Sequence, residues 1–179
     1  AWFLVNGLPD LSPQTLNALT LLTLWPQFRG SRNVSLGVEA IETVFEIIRT
    51  IVADRIREEA SASLEIESAV GRIYRIEFAP DPDIAIRQVL NDGSFRNRIA
   101  IEVKGGTDFS NIHNRLGEAE KSHQKAKAEG FTQFWTVINV GTTLASGTWK
   151  QETPTTNELF YLERLANPDS PAYARFEEY

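Results

Sequence analysis

The sequence predicts an α/β fold in which a central mixed β-sheet is flanked by α-helices. Apolar residues at spacings of three and four predict a long amphipathic helix over about 36–59. From Ser63 the apolar period changes to two, which is typical of half-buried strands. The chain has 179 residues, 42% of them hydrophobic, which is enough for one domain with a core and an appendage.

The first 35 residues predict a helical appendage. Ser12-Pro13 supplies an N-cap and a first-turn proline for a short helix over 14–24. A turn-forming stretch then separates this helix from the longer one. We therefore divide the chain into an N-terminal appendage, a core, and a C-terminal helix and tail that pack on the core, at 1–35, 36–151 and 152–179.

The helix predicted over 36–59 has two different faces. One face is apolar and is expected to lie on the core, while the opposite face is mainly acidic. The apolar residues are Val38, Ile41, Val44, Phe45, Ile48, Ile51, Val52 and Ile56, and the opposite face carries Glu39, Glu42, Glu46 and Arg49.

Four strands are predicted between 63 and 104. The first two contain Leu64 and Ile66, and then Tyr74, Ile76 and Phe78. A third strand over 84–90 ends at the turn Asn91-Asp92-Gly93, which returns the chain into a fourth strand over 94–104. Alternation along the fourth strand places Ile99, Ile101 and Val103 on one face and Ala100, Glu102 and Lys104 on the other.

A polar helix and a further strand follow. Ser110 or Asn111 can cap a helix that runs to about 129 and ends at Gly130. The run 131–140 is rich in aromatic and β-branched residues and predicts a mostly buried strand. A final short helix is expected near 156–165, and the tail from Asn167 is expected to lie on the surface.

Composition excludes several kinds of site and location. With no Cys and two His, the chain cannot form disulfides, a reactive thiol or a three-histidine metal centre. The longest apolar run, 16–25, is too short to cross a bilayer, and the N-terminus lacks the basic start of a signal peptide. We expect a soluble, cytoplasmic protein with no membrane partner. The lack of Met and the start at Ala1 leave open whether the sequence is a fragment.

Three charged residues, Asp83, Glu102 and Lys104, are candidates for catalysis. Glu102 and Lys104 share a face at the end of the fourth strand, and Asp83 begins the strand that the hairpin pairs with it. The start of one antiparallel strand lies beside the end of its partner, so the three side chains can converge. A surface ion pair is the alternative interpretation, and Asp81 is a second candidate for the acid before the third strand.

Two carboxylates and a lysine suit phosphodiester hydrolysis. Carboxylate oxygens are preferred ligands of Mg²⁺. Such a metal lowers the pKa of a bound water and offsets charge on the phosphoryl transition state, while the lysine orients the water.

These residues stand in the segments Pro82-Asp83-Ile84-Ala85-Ile86 and Ile99-Ala100-Ile101-Glu102-Val103-Lys104, which closely resemble the signature of the PD-(D/E)XK nuclease superfamily. The order of elements over 36–140 is also similar to that superfamily's core, so the resemblance implies a restriction-endonuclease-like core. It further implies a Mg²⁺-dependent nuclease that leaves 5′-phosphate ends. Asp83 and Glu102 would be metal ligands, and Lys104 would be the water-positioning base.

Within the superfamily the chain is most similar to a type II restriction endonuclease. This implies double-stranded DNA as partner and a homodimer that cuts both strands of a palindrome. A repair or recombination nuclease that reads DNA structure, and a catalytically inert nucleic-acid-binding module, are the alternatives. Val103 and Glu46 are further candidate metal ligands. The acidic face that carries Glu46 is better explained as solvated, Glu46 being the favoured ligand if one of its glutamates takes part, and Glu67 and Glu77 compete with it.

The polar helix is the predicted DNA-contacting element. Its first turn follows Gly105-Gly106 closely and should lie near the scissile phosphate, where a helix N-terminus favours anions. The candidate DNA-binding residues are Asn111, His113, Asn114, Arg115, Lys121 and Gln124.

The regional distribution of charge is consistent with this interpretation. The chain has a formal charge of −6, which by itself argues against a nucleic-acid partner. However, residues 84–148 hold eight basic and six acidic groups, against seven and twelve in 1–83 and three and six in 149–179. The only basic segment therefore contains the predicted site.

Overall fold

A seven-stranded mixed sheet forms the centre of the part of the chain that the structure describes. The computed structural model of the protein describes residues 36–178 apart from 107, 142, 143, 145 and 146, so the predicted appendage at 1–35 lies outside the described residues. The strands are β1 (Ile56–Ala60), β2 (Ser63–Glu67), β3 (Ile73–Phe78), β4 (Ile84–Val89), β5 (Phe95–Lys104), β6 (Gln133–Ile138) and β7 (Glu158–Tyr161).

The sheet has an antiparallel part and a parallel part. Strands lie side by side in chain order, and each pair from β1 to β5 is antiparallel. The β5–β6 and β6–β7 pairs are parallel. This mixed sheet with helices on its faces confirms the predicted fold class.

Among the described residues, five helices accompany the sheet. They are α1 (36–51), α2 (Ile112–Ala128), α3 (Trp149–Glu152), α4 (Leu162–Leu165) and α5 (Pro171–Glu177). Short 3₁₀ turns at Ala53–Arg55 and Phe109–Asn111 lead into β1 and α2. In the part of the chain that the structure describes, no helix is long and apolar enough to cross a membrane.

The helix predicted over 36–59 ends earlier than expected. The chain leaves α1 at residue 51, and Ile56 begins the edge strand β1, where it pairs with Ile66 of β2. Ile56 packs on the same apolar core in this strand as it would in a helix, so its spacing did not separate the two structures. Pairing with β2 supplies the backbone partners that decide between them.

The C-terminal segment also differs from the prediction. Residues expected to form a helix near 156–165 form β7 and then the single turn α4. The tail was expected on the surface, but α5 brings Phe176 into the core, with ring centroids 5.3 Å from Trp135 and 5.0 Å from Phe160. Both β7 and α5 therefore contribute buried residues to the apolar clusters on the sheet.

The two faces of the sheet are covered by different helices. The face with Ile101 and Val103 packs against α1 and α5 in the largest apolar cluster. The face with Ala100 packs against α2, whose Ala126 lies in the same cluster. The predicted faces of β5 are therefore confirmed, and Glu102 and Lys104 lie on the α2 side.

Candidate active site

The hairpin between β4 and β5 brings Asp83 to Glu102. Ile84 pairs with Ile101, so Asp83 precedes β4 at the level of Glu102. The Val103 backbone N–H donates a hydrogen bond to Asp83 Oδ2 at 2.8 Å. The hairpin turn closes at Gly93, whose φ of 80° is a conformation that favours glycine.

Lys104 completes the cluster from the same strand. Its Nζ donates a hydrogen bond to Glu102 Oε2 at 2.8 Å. The Glu102 residue is only 2% exposed, while the Lys104 side chain retains 18% exposure. The three predicted residues therefore converge, with Glu102 buried and the lysine partly open to solvent.

The carboxyl groups of this cluster are difficult to ionise. Burial raises the pKa of Glu102 to about 7, the negative charge of Asp83 adds to that rise, and Lys104 opposes it. Burial likewise raises the pKa of Asp83, although the Val103 N–H and the charge of Lys104 act against the rise. Burial lowers the pKa of Lys104, but the facing charges of Glu102 and Asp83 outweigh it and the net shift is upward.

These shifts indicate a place suited to a cation. Two buried carboxyl groups repel each other when both are ionised, and a positive charge against their oxygens would favour the ionised forms. Hard oxygen donors match the ligand preference of Mg²⁺. Asp83 and Glu102 therefore fit a divalent metal by donor type and by charge.

Asp81 lies on the outer side of the same cluster. Its charge adds to the rise in the pKa of both Asp83 and Glu102, so it is close enough to act on them. Its own carboxylate pairs with Lys125 Nζ at 3.0 Å. Asp83 is the acid in contact with the β5 backbone, which favours it over Asp81 as the ligand.

The glutamates considered as further ligands lie elsewhere. Glu46 is on α1, on the opposite side of the sheet from Glu102; its side chain is 66% exposed and 3.7 Å from Arg49. Glu77 pairs with Arg87, and Glu67 lies 3.5 Å from Arg57. Among the described residues, no three Asp, Glu, His or Cys side chains form a group that could hold a metal. The structure thus does not bring Glu46 to the site.

Two glycines shape the end of β5. A Cβ on Gly105 would stand 2.7 Å from the Gly37 Cα and would also meet the Leu36 carbonyl, so α1 begins directly against this strand end. A Cβ on Gly106 would meet the Arg115 guanidinium, which donates a hydrogen bond to the Gly106 carbonyl. The guanidinium of Arg115 is thereby held against Gly106, which lies two residues after Lys104 in the chain.

The other predicted DNA-contacting residues of the first turn of α2 are exposed. Asn111 is the N-cap residue, but its amide donates to Asp108 Oδ2 at 3.2 Å and makes no cap hydrogen bond. His113 is 72% exposed, with Nδ1 2.7 Å from Glu152 Oε1. Asn114 is exposed at the same end of the helix.

Lys121 and Gln124 lie further along α2 and are also exposed. Gln124 donates a hydrogen bond to Glu120 Oε1 at 2.9 Å. Their exposure keeps them accessible to a ligand, whereas the contact of Arg115 with Gly106 ties that residue directly to the strand that carries Glu102.

His123 is a polar residue of α2 whose burial was not predicted from the sequence. It is 0% exposed, and its Nε2 lies 2.9 Å from Thr136 Oγ1, which in turn lies 3.1 Å from Thr156 Oγ1. Burial lowers its pKa to about 4. Its spacing of four from Ala119 and three from Ala126 places it on the inward stripe of α2, and that spacing was the available signal.

Comparison with known proteins identifies relatives over most of the chain. The family model described as XcyI restriction endonuclease matches residues 4–179. The type II restriction enzyme XcyI of Xanthomonas campestris pv. cyanopsidis is 51% identical over 166 residues, which are 93% of this chain and 50% of that enzyme. The type II restriction enzyme Cfr9I of Citrobacter freundii is 48% identical over the same shares. The chain spans about half the length of these relatives, and no solved structure matches it.

Proposed function

Because the chain belongs to the XcyI restriction endonuclease family, we propose that it carries the catalytic centre of a Mg²⁺-dependent, sequence-specific endodeoxyribonuclease. The substrate is double-stranded DNA, and hydrolysis leaves 5′-phosphate ends. The observation that carries the proposal is the convergence of Asp83, Glu102 and Lys104 at the end of the β4–β5 hairpin.

The chain's own groups suggest the metal ligands. Asp83 and Glu102 would hold Mg²⁺ through their carboxylates, and Val103, whose side chain is apolar, would do so through its carbonyl oxygen. When bound, the ion supplies positive charge that offsets the charge developing on the phosphate and lowers the pKa of a water. The Val103 N–H keeps Asp83 at the strand end for this role.

Lys104 acts on the attacking water. The water oxygen forms a bond to phosphorus and releases one proton to solvent, the bond from phosphorus to the 3′ oxygen breaks, and that oxygen takes a proton from solvent, which leaves the phosphate on the 5′ end. Because Glu102 and Asp83 hold Lys104 in its charged form, the ammonium donates hydrogen bonds that orient the water and stabilise the phosphate oxygens. In this arrangement Lys104 is a donor that positions the water, and a bound cation would supply the charge that favours its ionisation.

DNA would approach along the first turn of α2. Arg115, held by the Gly106 carbonyl, lies beside the strand that carries the catalytic residues, and Asn114 is exposed next to it. Arginine and asparagine form the hydrogen bonds by which purine bases are read. We expect two copies of the protein to act as a homodimer, since two-fold symmetry places one site on each strand of a palindrome.

The test is a Mg²⁺ digest of phage DNA followed by sequencing of the fragment ends. Discrete fragments with 5′-phosphates at one repeated sequence are expected. Cleavage only at nicks, flaps or ends would instead identify a structure-specific nuclease. If the unmutated protein cuts no DNA with any divalent cation, the proposal is wrong.

Substitutions then separate catalysis from binding. Lys104→Ala should abolish cleavage while the protein still binds DNA. Asp83→Asn should reduce cleavage by about 10²-fold or more, since it removes a ligand charge, whereas Asp81→Asn should reduce it by less than about tenfold. The reverse order for the two aspartates would assign the ligand role to Asp81.

A further inference from the structure

A polar cleft lies at the same edge of the sheet as the catalytic residues, beyond the end of β7. Its volume is about 330 Å³, and its lining includes Val140 after β6, and Tyr161, Arg164, Asn167 and Ser170 around the end of β7. Glu163 is the one carboxylate in the lining. None of these residues belongs to the catalytic cluster or to the predicted DNA-binding set.

The sheet register ties this cleft to Lys104. Strands β5, β6 and β7 are parallel, and their last residues form one row in which Lys104 pairs with Ile138 and Ile138 with Tyr161. Two strand spacings separate Lys104 from Tyr161, which is roughly 10 Å between their backbones. The Asn139 N–H donates to the Lys104 carbonyl at 3.0 Å, so the chain that enters the cleft at Val140 is fixed to the catalytic strand.

The two positions also share a face. Tyr161 packs with Ile112, Leu116 and Ile138 in the apolar cluster beneath α2, on the side of the sheet where Lys104 lies. The exposed guanidinium of Arg164 lies 5.3 Å from the centre of the Tyr161 ring. Tyr161 is itself fixed, because its hydroxyl accepts a hydrogen bond from the Leu144 N–H at 2.8 Å.

We propose that this cleft binds the DNA backbone on one side of the scissile phosphate, with Arg164 as the phosphate ligand and Asn167 and Ser170 as polar neighbours. A DNA strand carries one phosphate per roughly 3.4 Å of helix axis, so the cleft corresponds to a phosphate within about three nucleotides of the cut. The planar guanidinium suits a phosphate. Because Arg164 already packs on Tyr161, its side chain loses less conformational entropy when it binds a phosphate. This inference rests on the proposed function, since it names a further contact for the same DNA.

The test compares Arg164→Ala with Arg96→Ala. Arg96 is exposed at the opposite end of β5, eight residues and about 26 Å from Lys104. Its substitution by alanine removes the same charge as Arg164→Ala, but far from the cleft. Each variant is titrated with a labelled duplex in Ca²⁺ over a range of salt. The duplex contains the sequence that the wild-type protein cuts, or a random sequence if it cuts none. Thermal unfolding confirms that each variant is folded.

We expect Arg164→Ala to weaken binding by about 5- to 20-fold and to reduce the slope of log K against log salt by about 0.9, the value for one lost phosphate contact. Arg164→Lys should retain the slope because it retains the charge. Glu163→Gln should tighten binding a few-fold because it removes the cleft's negative charge. Arg96→Ala should match the wild type in affinity, in slope and in cleavage.

Equal affinities and salt slopes for Arg164→Ala and Arg96→Ala would overturn the inference. So would an Arg164→Ala protein that binds like the wild type but cuts slowly at saturating DNA, because that assigns Arg164 to the chemical step. Failure of the proposed function is seen in a different measurement, because it requires that the wild-type protein cut no DNA. The Arg164 inference depends only on whether Arg164→Ala binds DNA more weakly than the wild type.

Discussion

The two parts of the sheet are stabilised in different ways. On the antiparallel part, charges on the side of the sheet away from α1 pair across neighbouring strands: Arg75 Nη2 lies 2.5 Å from Glu65 Oε1, and Arg87 pairs with Glu77. The parallel part has helices over both faces and an aromatic cluster of Trp135, Phe160 and Phe176.

The cluster of Asp83, Glu102 and Lys104 lies where these two parts meet. Each acid of the cross-strand pairs faces an arginine, whereas Glu102 faces Asp83 as well as Lys104. Glu102 is also buried, on the face of the sheet that α2 covers. Pairing opposite charges stabilises the exposed face of the antiparallel part without placing two like charges together. Burying two acids together makes both carboxyl groups sensitive to any cation that arrives, which is what a metal-dependent site requires.

The largest expected effect is on cleavage by Glu102→Gln. Loss of the buried carboxylate removes the proposed metal ligand and the partner of Lys104, so the cleavage rate should fall by about 10³-fold or more. Glu65→Gln makes the same chemical change on the antiparallel part and should leave the rate within about twofold. Single-turnover cleavage of one DNA substrate by both variants measures the difference. Comparable losses would show that position in the sheet does not distinguish the two acids.

The next effect is on stability, at Phe176. Its ring is buried against Trp135 and Phe160, so Phe176→Ala should lower the free energy of unfolding by about 3–5 kcal/mol. Phe95→Ala is the matched change on the antiparallel part, where the ring is 46% exposed, and should cost less than about 1 kcal/mol. Urea unfolding of both variants provides the comparison. A small loss at Phe176 would restore the prediction of a surface tail.

The sequence predicted the convergence of Asp83, Glu102 and Lys104 better than it predicted the ends of the sheet. A turn at Asn91-Asp92-Gly93 was enough to predict that Asp83 and Glu102 approach each other, and the period of two over 99–104 placed Glu102 and Lys104 on one face. The exact register was not predicted, because the pairing shifts by one residue between Ile86 and Arg87, and this shift places Asp83 at the level of Glu102. The edge strand β1 was missed because Ile56 suits both a helix and a strand. In β7, the adjacent residues Leu159 and Phe160 are both buried, so the alternation that marks a strand is absent.

A third prediction concerns the pH dependence of stability through His123. Its pKa is about 4 in the folded protein and 6.5 when unperturbed, so between these values the unfolded chain binds the proton and the folded protein does not. Stability from this group is therefore present above pH 6.5 and is lost as the pH falls towards 4, by about 3 kcal/mol in total. Glu120 and Asp81 act against the shift, and burial and Lys104 produce it.

Replacing His123 by glutamine tests this prediction. His123→Gln keeps a nitrogen that can reach Thr136 but does not titrate. The wild type should lose about 3 kcal/mol more than this variant between pH 6.5 and 4, as measured by urea unfolding at a series of pH values. His113→Gln, at a side chain that is 72% exposed, is the control and should follow the wild type. Parallel pH profiles for the wild type and His123→Gln would contradict the prediction.

The smallest effect should come from the cross-strand pair Glu65–Arg75. The two side chains are 24% and 37% exposed, and ion pairs open to solvent contribute about 0.2–1 kcal/mol. Arg75 also lies 5.2 Å from the centre of the Phe95 ring, so Arg75→Ala alone removes two contacts. A double-mutant cycle with Glu65→Ala isolates the ion pair, and its coupling energy should decrease as salt is added. A coupling above about 2 kcal/mol, unchanged by salt, would mean that the antiparallel part depends on buried electrostatics as the cluster of Asp83, Glu102 and Lys104 does. The distinction between the two parts would then fail.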